Sequence, residues 1–95
     1  MIHSDGETLR VDGALTIETV PGLVDAVSDH LAQGGRRIDF SGVTDVDSAA
    51  VALTIEWLRQ AAARNMPLEL TNLPAVLRNL ANLYGVANLL QLAAE

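Results

Sequence analysis

The amino-acid sequence predicts a small α/β domain with a mixed, mostly parallel β-sheet and helices packed on it. Short strand-like runs alternate with amphipathic segments of about ten residues or more, in the order β-β-α-β-α-β-α-α. A helix of that length between two strands provides the crossover that parallel strands need. No Pro-, Gly- or Ser-rich linker divides the 95 residues. We therefore expect a single domain, residues 1–95, with its core at about residues 8–92.

Two short strands and a helix are predicted first. Thr8–Val11 and Ala14–Ile17 flank Asp12-Gly13, a pair typical of a hairpin turn because Gly tolerates positive φ. Residues 1–6 are polar and are expected to fray. The helix is predicted because five apolar residues share one helical face, and Gly34-Gly35 ends it. These five residues are Val20, Leu23, Val24, Val27 and Leu31.

The rest of the chain alternates strand and helix. Arg36–Val43 is a strand-sized run, and a short polar loop follows at residues 44–48. A long helix begins at Ala49 and extends to about Asn65, because apolar residues recur there at helical spacing. One more strand and two helices are predicted at residues 68–71, 74–84 and 86–94.

Charge and composition exclude several classes of function. Twelve Asp and Glu residues against six Arg residues give a net charge of −6, whereas nucleic-acid and anionic-membrane surfaces need excess positive charge. With no Cys and two His, neither a thiol nucleophile nor a metal site is expected, and no cofactor is indicated. No apolar run approaches the ~20 residues of a membrane span, and no signal peptide is visible. We expect a cytoplasmic protein without direct membrane insertion.

The acidic loop before the long helix is the segment best placed to carry a function. In open α/β sheets, binding sites gather beyond the carboxyl ends of parallel strands. Ser48 lies at the helix N-terminus, where unpaired backbone N–H groups and the helix dipole would stabilise a phosphate on its hydroxyl. The alternative is an ordinary cap, with Asp47 capping the helix and Ser48 in its first turn. Asp45 and Asp47 alone are too few ligands for a metal ion.

The long helix carries two apolar stripes. Four residues lie on one line of a projection at ~100° per residue: Val51, Ile55, Leu58 and Ala62. This stripe is enough to seat the helix on a sheet. A second stripe of Ala50, Leu53 and Trp57 either widens the core face or forms an exposed patch, and Trp is enriched at interface hot spots. We expect Leu53 and Trp57, with the Asp47–Ala49 end of the helix, to form a docking face for a partner.

The segment around this loop resembles the signature of STAS domains. Asp39–Val43 is similar to the strand of that signature, and Val46–Leu53 is similar to its Asp-Ser loop and helix start. The order of elements also agrees from Thr8 to Leu90. The family includes anti-sigma-factor antagonists and the cytoplasmic domains of sulfate transporters. The resemblance implies a STAS-like fold and a protein-binding role.

Within the family, the chain is most similar to the stand-alone STAS subunits of Mla phospholipid-transport ABC complexes. Three segments carry this likeness: Gly13–Thr16, Trp57–Ala61 and Leu83–Val86. The likeness implies a non-catalytic subunit that binds and stabilises or regulates the ATPase (MlaF type) of a transporter that also has permease and lipid-binding subunits. It also implies a role in outer-membrane lipid asymmetry and a peripheral position at the inner membrane through that partner.

The resemblance leaves a second function open, an anti-sigma-factor antagonist switched by phosphorylation of Ser48. Such antagonists usually carry Gly where this chain has Ala50 and Asp where it has Thr16. Both departures weaken the kinase-regulated alternative, and neither argues against ATPase binding. The candidate partner-binding residues are Thr16, Asp45, Asp47, Ser48, Ala49, Leu53 and Trp57.

Overall fold

A four-stranded sheet positions the other elements of the part of the chain that the structure describes, residues 2–93. The structure is a computed structural model with the following elements: β1 Ile2–Asp5, β2 Thr8–Leu15, a 3₁₀ helix Val20–Gly22, α1 Ala26–Ala32, β3 Arg37–Val46, α2 Ser48–Ala63, β4 Glu69–Thr71, α3 Ala75–Leu83 and α4 Ala87–Ala93. The strands lie in the order β1-β2-β3-β4. β1 is antiparallel to β2, and β2, β3 and β4 are parallel. The predicted mixed, mostly parallel α/β fold is confirmed.

Alternation along the strands gives the sheet an apolar face and a polar face. Five core side chains share the apolar face, on which the helices pack: Leu9, Val11, Ile38, Phe40 and Leu70. On the polar face, the Asp39 carboxylate accepts hydrogen bonds from Asn72 Nδ2 and from the Ser41 backbone N–H, both at 2.9 Å. The bond from Asn72, with a smaller contribution from Ser41, holds the pKa of Asp39 below its ordinary value.

The N-terminal strands differ from the prediction. Residues 2–5 form an edge strand instead of fraying, because they pair with β2 from Ile2↔Val11 to Asp5↔Thr8. The hairpin turn lies at Gly6-Glu7, where Gly6 has φ +63°. At Asp12-Gly13 there is no turn. β2 continues through this pair with irregular register against β3, and Gly13 has φ +84°. The conformational freedom of Gly therefore serves an irregularity within one strand.

The first predicted helix is broken into the 3₁₀ helix and α1, with a turn at residues 23–25 between them. Side chains of α2 bind the carbonyl oxygens of this turn: Trp57 Nε1 donates to Leu23 at 3.1 Å, and Gln60 Nε2 donates to Val24 at 3.2 Å. These donors lie 34 and 36 residues further along the chain. The local hydrophobic spacing therefore could not reveal the break.

Three helices end with a residue in the left-handed conformation. Gly34, Asn65 and Gly85 have φ of +86°, +53° and +73°. After each, the next backbone N–H donates to the carbonyl five residues earlier, as from Val86 to Ala81 at 2.9 Å. This is the Schellman motif, which satisfies carbonyls that a helix end leaves without partners. The predicted ends of these three helices are confirmed.

The two C-terminal helices pack beside α2. α3 contacts α2, and α4 contacts α2, α3 and β4. Leu77 and Ala81 of α3 and Leu90 of α4 are buried in the core. Among residues 2–93, no helix is both long enough and apolar enough to cross a membrane.

A side chain at Gly35 is expected to destabilise the fold. A Cβ added there would lie 2.2 Å from the His30 ring. That ring is buried, and its Nε2 lies 3.2 Å from the Arg37 carbonyl oxygen. Because the core leaves the ring little room to move, we expect Gly35→Ala to lower the free energy of unfolding by about 1–3 kcal/mol. Urea unfolding followed by circular dichroism measures this change.

Gly22→Ala is the matched control, because a Cβ at Gly22 would meet no atom within 4 Å. We expect the control to change the free energy of unfolding by less than about 0.5 kcal/mol. Identical urea midpoints for Gly35→Ala and the wild type would contradict the expectation.

Candidate functional site

Asp47 joins the carboxyl ends of two parallel strands to the start of α2. β3 extends beyond its predicted end to Val46, so Asp47 alone separates it from the helix. The Asp47 carboxylate accepts one hydrogen bond from the Ala49 N–H, which caps α2, and another from the Ile17 N–H, both at 2.9 Å. The Asp47 N–H donates to the Leu15 carbonyl at 3.2 Å. One residue thus fixes the turn after β2 against the start of α2.

The turn after β2 is stabilised by its own hydrogen bonds. The Thr19 hydroxyl donates to the Ala14 carbonyl at 2.8 Å and accepts from the Thr16 N–H at 2.9 Å. The backbone N–H groups of Thr19 and Val20 both donate to the Thr16 carbonyl, at 3.0 and 2.8 Å. The backbone around Ile17 is therefore held from both sides, by this turn and by Asp47.

These contacts bring five of the seven candidate partner-binding residues together. We call this region, including Ile17, the corner surface; its five predicted members are Thr16, Asp45, Asp47, Ser48 and Ala49. In the strand register, Ala14 lies opposite Asp45 and Leu15 lies opposite Val46. Asp45 and Ser48 are exposed, and the other three predicted members are half-buried.

Ser48 is the first residue of α2, and its side chain is exposed. Asp47 is the N-cap of α2. The structure therefore has the ordinary cap, with Asp47 capping the helix and Ser48 in its first turn. The Ala49 N–H binds the Asp47 carboxylate, and the Ala50 N–H donates to the Asp47 carbonyl at 3.0 Å. Two amides of the first turn therefore already have partners. A phosphate on Ser48 would meet fewer unpaired amides than expected and would lie next to the negative charge of Asp47.

Leu53 and Trp57 lie in the core, so the prediction that they form part of a docking face is wrong. Leu53 is 1% exposed and Trp57 is 0% exposed. The Trp57 ring centroid lies 6.5 Å from that of Phe40 on the sheet. Its indole N–H is used within the molecule, on the Leu23 carbonyl.

The second stripe of α2 is more deeply buried than the first, contrary to the expectation. The second stripe, which contains Ala50, Leu53 and Trp57, is fully buried. In the first stripe Val51 is also buried, but Ile55 and Leu58 are half-buried and Ala62 is exposed. α2 contacts the 3₁₀ helix, α1, α3 and α4, and its Trp57 packs near Phe40 of the sheet, so α2 needs a wide apolar face. An apolar pattern alone does not tell which side of such a face is central.

Ile17 is a corner-surface residue that the sequence analysis missed. Its side chain is 73% exposed, although β-branched residues usually seek a half-buried strand position. We predicted Ile17 as the last residue of a strand, whereas β2 ends at Leu15. The available signal was weak: polar Glu18 and Thr19 follow Ile17 directly.

The corner surface is acidic. Glu18 and Asp45 are exposed at its rim, and Asp47 lies between the turn and the helix. Within the described residues 2–93, no three His, Asp or Glu side chains lie close enough together to hold a metal ion. The arrangement offers negative charge, one serine hydroxyl and one exposed aliphatic side chain.

A family model described as Mlab, STAS domain matches residues 2–91. The match spans nearly the whole chain, and the chain belongs to the STAS domain family. The resemblance seen around Asp47 and Ser48 is confirmed at the level of that family. Comparison with curated protein sequences gives no match.

Solved structures have the same fold. The anti-sigma factor antagonist SpoIIAA in its unphosphorylated form superposes with a TM-score of 0.70 at 18% identity, covering 100% of this chain and 84% of that one. A sulfate transporter family protein from Wolinella succinogenes has a TM-score of 0.70 at 15% identity, covering 93% and 74%. The protein Mglu has a TM-score of 0.57 at 20% identity, covering 79% and 19%. At these identities the likeness establishes the fold alone.

Removing the Asp47 carboxylate should loosen the corner surface. Asp47→Ala deletes both the cap of α2 and the acceptor for the Ile17 N–H, so we expect it to lower the free energy of unfolding by about 1–2 kcal/mol. The exposed neighbour Asp45 is the control, and Asp45→Ala should change the free energy of unfolding by less than about 0.5 kcal/mol. Urea unfolding measures both, and equal effects of the two substitutions would count against the assigned role of Asp47.

The burial of Trp57 can be measured directly, because it is the only Trp in the chain. We expect acrylamide to quench native fluorescence several-fold less than that of the urea-unfolded chain, since the core excludes the quencher. The ratio of the two Stern–Volmer constants is the readout. Equal constants would show that Trp57 is accessible and would restore it as a docking residue.

Proposed function

We propose that this chain is an MlaB-type STAS subunit that docks through its corner surface on the ATPase of an Mla-type phospholipid ABC transporter. In this role it stabilises or regulates the ATPase and has no catalytic activity of its own. The description of the matched family model supports this choice within the family. The observation that carries the docking site is Ile17, whose side chain is 73% exposed while its N–H donates to the Asp47 carboxylate.

Ile17 has the properties of an interface anchor. An aliphatic side chain that enters a pocket of a partner contributes through the removal of its apolar area from water. The hydrogen bonds from Asp47 and within the Thr16–Val20 turn already order the backbone around it. Little conformational entropy remains to be lost on binding, and this preorganisation favours affinity.

The acidic rim indicates the charge of the partner's surface. Glu18 adjoins Ile17, Asp47 adjoins Ser48 and Asp45 lies two residues before Asp47, and no Arg or Lys occurs between Arg10 and Arg36 or between Arg37 and Arg59. A basic patch on the ATPase would be attracted to this rim and would be oriented by it. The exposed Ser48 hydroxyl would lie inside the contact.

Docking can regulate the ATPase through differential affinity. A subunit that binds one conformation of the ATPase more tightly than another shifts the population toward that conformation. The chain needs no catalytic group for this effect. Its position would be peripheral to the inner membrane through the ATPase, and its effect on outer-membrane lipid asymmetry would follow from the activity of the transporter.

A second candidate is an anti-sigma-factor antagonist controlled by phosphorylation of Ser48. The specific observation in its favour is an exposed Ser48 at the start of α2 in a fold similar to that of SpoIIAA. A phosphate adds about −2 charge beside Asp45 and Asp47, and the added repulsion would release the partner. Ala50, where such antagonists usually have Gly, has a fully buried side chain.

Co-expression with the Mla-type ATPase of the same organism tests the first proposal. Ser48→Arg places a bulky cation in the contact, and Ile17→Asp removes the anchor and adds repulsive charge. We expect each variant to reduce ATPase recovered on the tagged chain at least tenfold. Ser4→Arg, at an exposed serine of β1, and Leu83→Asp, at a side chain as exposed as Ile17 (75% against 73%), are the matched controls.

Undiminished binding by both folded corner variants would overturn the docking site, and no binding by the wild type would overturn the proposed partner. Phosphopeptide mass spectrometry of protein from the native cell separates the two candidate functions. A stoichiometric phosphate on Ser48 together with a bound histidine-kinase-like protein would establish the anti-sigma-factor pathway instead.

A further inference from the structure

We propose that Asp5-Gly6 is a site of spontaneous isoaspartate formation and that Asp12-Gly13, the other Asp-Gly pair of the chain, is protected from it. Isoaspartate forms when the backbone nitrogen after an Asp attacks the side-chain carboxyl carbon of that Asp. Gly in the second position leaves the nitrogen open to attack the carbon, because Gly has no Cβ. The two pairs are equal in this respect, so their places in the fold decide which of them reacts.

The reaction needs no co-reactant other than water. The Gly6 nitrogen forms a bond to Asp5 Cγ and loses its proton, while the carboxyl group loses its hydroxyl, and the two leave together as water. The product is a five-membered succinimide ring. Water then adds to one of the two ring carbonyls. Opening at the side-chain carbonyl restores Asp, whereas opening at the main-chain carbonyl leaves the backbone running through Cβ and Cγ as isoaspartate.

Both reacting groups of Asp5-Gly6 are exposed and are not held by other groups. Asp5 is the last residue of β1, and Gly6 is the first residue of the hairpin turn. Within residues 2–93, no hydrogen bond or ion pair involves the Asp5 carboxylate, and the Gly6 N–H has no acceptor. A Cβ built at Gly6 would meet no atom within 4 Å. The ring therefore has room to form.

The peptide after Asp5 can rotate at little cost to the sheet. Ring closure requires Asp5 to leave its extended conformation, and β1 is an edge strand whose pair nearest the turn is Asp5↔Thr8. Strand ends and loop tips open at low free energy. The second residue of the turn is held separately, because the Glu7 carbonyl accepts from the N–H groups of Arg36 and Arg37 at 2.9 and 3.0 Å. Opening at Asp5 leaves those two bonds in place.

The other Asp-Gly pair lies inside the sheet. β2 lies between β1 and β3, and Asp12 and Gly13 are paired with Gly42 and Val43. His3 Nε2 lies 3.4 Å from the Asp12 carboxylate. Gly42 approaches Asp12 so closely that a Cβ added to Gly42 would lie 2.5 Å from the Asp12 Cβ. Rotation of the peptide after Asp12 would break the pairing with β3, so ring closure there requires the sheet to open.

Isoaspartate in place of Asp5 would weaken the pairing of β1. It adds one carbon atom to the backbone between β1 and the turn, whereas the length of a hairpin turn fixes the register of its strands. The pairs from Ile2↔Val11 to Asp5↔Thr8 could then not all be kept, and β2 would become a less protected edge. The corner surface lies beyond the other end of β2, so the proposed ATPase contact would be unchanged.

Peptide mapping of the folded chain after some weeks at physiological temperature and neutral pH tests this proposal. Electron-transfer dissociation distinguishes isoaspartate from Asp at each position. Purified protein L-isoaspartate O-methyltransferase with labelled S-adenosylmethionine measures the total. We expect isoaspartate to accumulate at least tenfold faster at Asp5 than at Asp12, because opening costs more in the middle of the sheet. Asp5→Glu, which cannot form the five-membered ring, should lose most of the methyl-accepting capacity.

The same chain unfolded in guanidinium chloride is the matched control. No strand pairing protects either pair there, so the two positions should form isoaspartate at similar rates. An equal ratio of the two rates in the folded and unfolded chains would overturn the proposal, because the fold would then make no distinction between the pairs. It would also be overturned if the unfolded chain formed isoaspartate at Asp5 and the folded chain did not, or if Asp5→Glu kept the methyl-accepting capacity of the wild type.

Discussion

The burial of Trp57 between α2 and the sheet is the constraint on which much of this structure depends. Its ring is 0% exposed and packs near Phe40. Its indole N–H would be costly to bury without an acceptor, and it finds one in the Leu23 carbonyl at 3.1 Å. That acceptor lies in the turn that interrupts the first helical segment. The orientation of α2 and the break after the 3₁₀ helix are therefore two consequences of placing one large side chain.

The orientation of α2 in turn decides which of its apolar side chains are exposed. With Leu53 and Trp57 facing the core, the apolar stripe that seemed available is used internally. The exposed corner is built instead by backbone geometry: two parallel strands end at the same edge, and Asp47 ties the turn after β2 to the start of α2. Ile17 is exposed there on a backbone that Asp47 holds, and its type of side chain alone would not have indicated this exposure.

The sequence by itself determined the elements whose signals are local. Hydrophobic spacing located α2 and α3, and the glycines after α1 and α3 marked their ends, because a Schellman motif needs residues that accept positive φ. The Asp47-Ser48 loop was found for the same reason, since a cap and the helix that it caps are adjacent. Tertiary structure alone decided the rest. Whether Asp12-Gly13 turns or continues, where the first helix breaks, and which stripe of α2 faces inward depend on β3, Trp57, Gln60 and the neighbouring helices. Those contacts join residues far apart in the chain, and no local pattern records them.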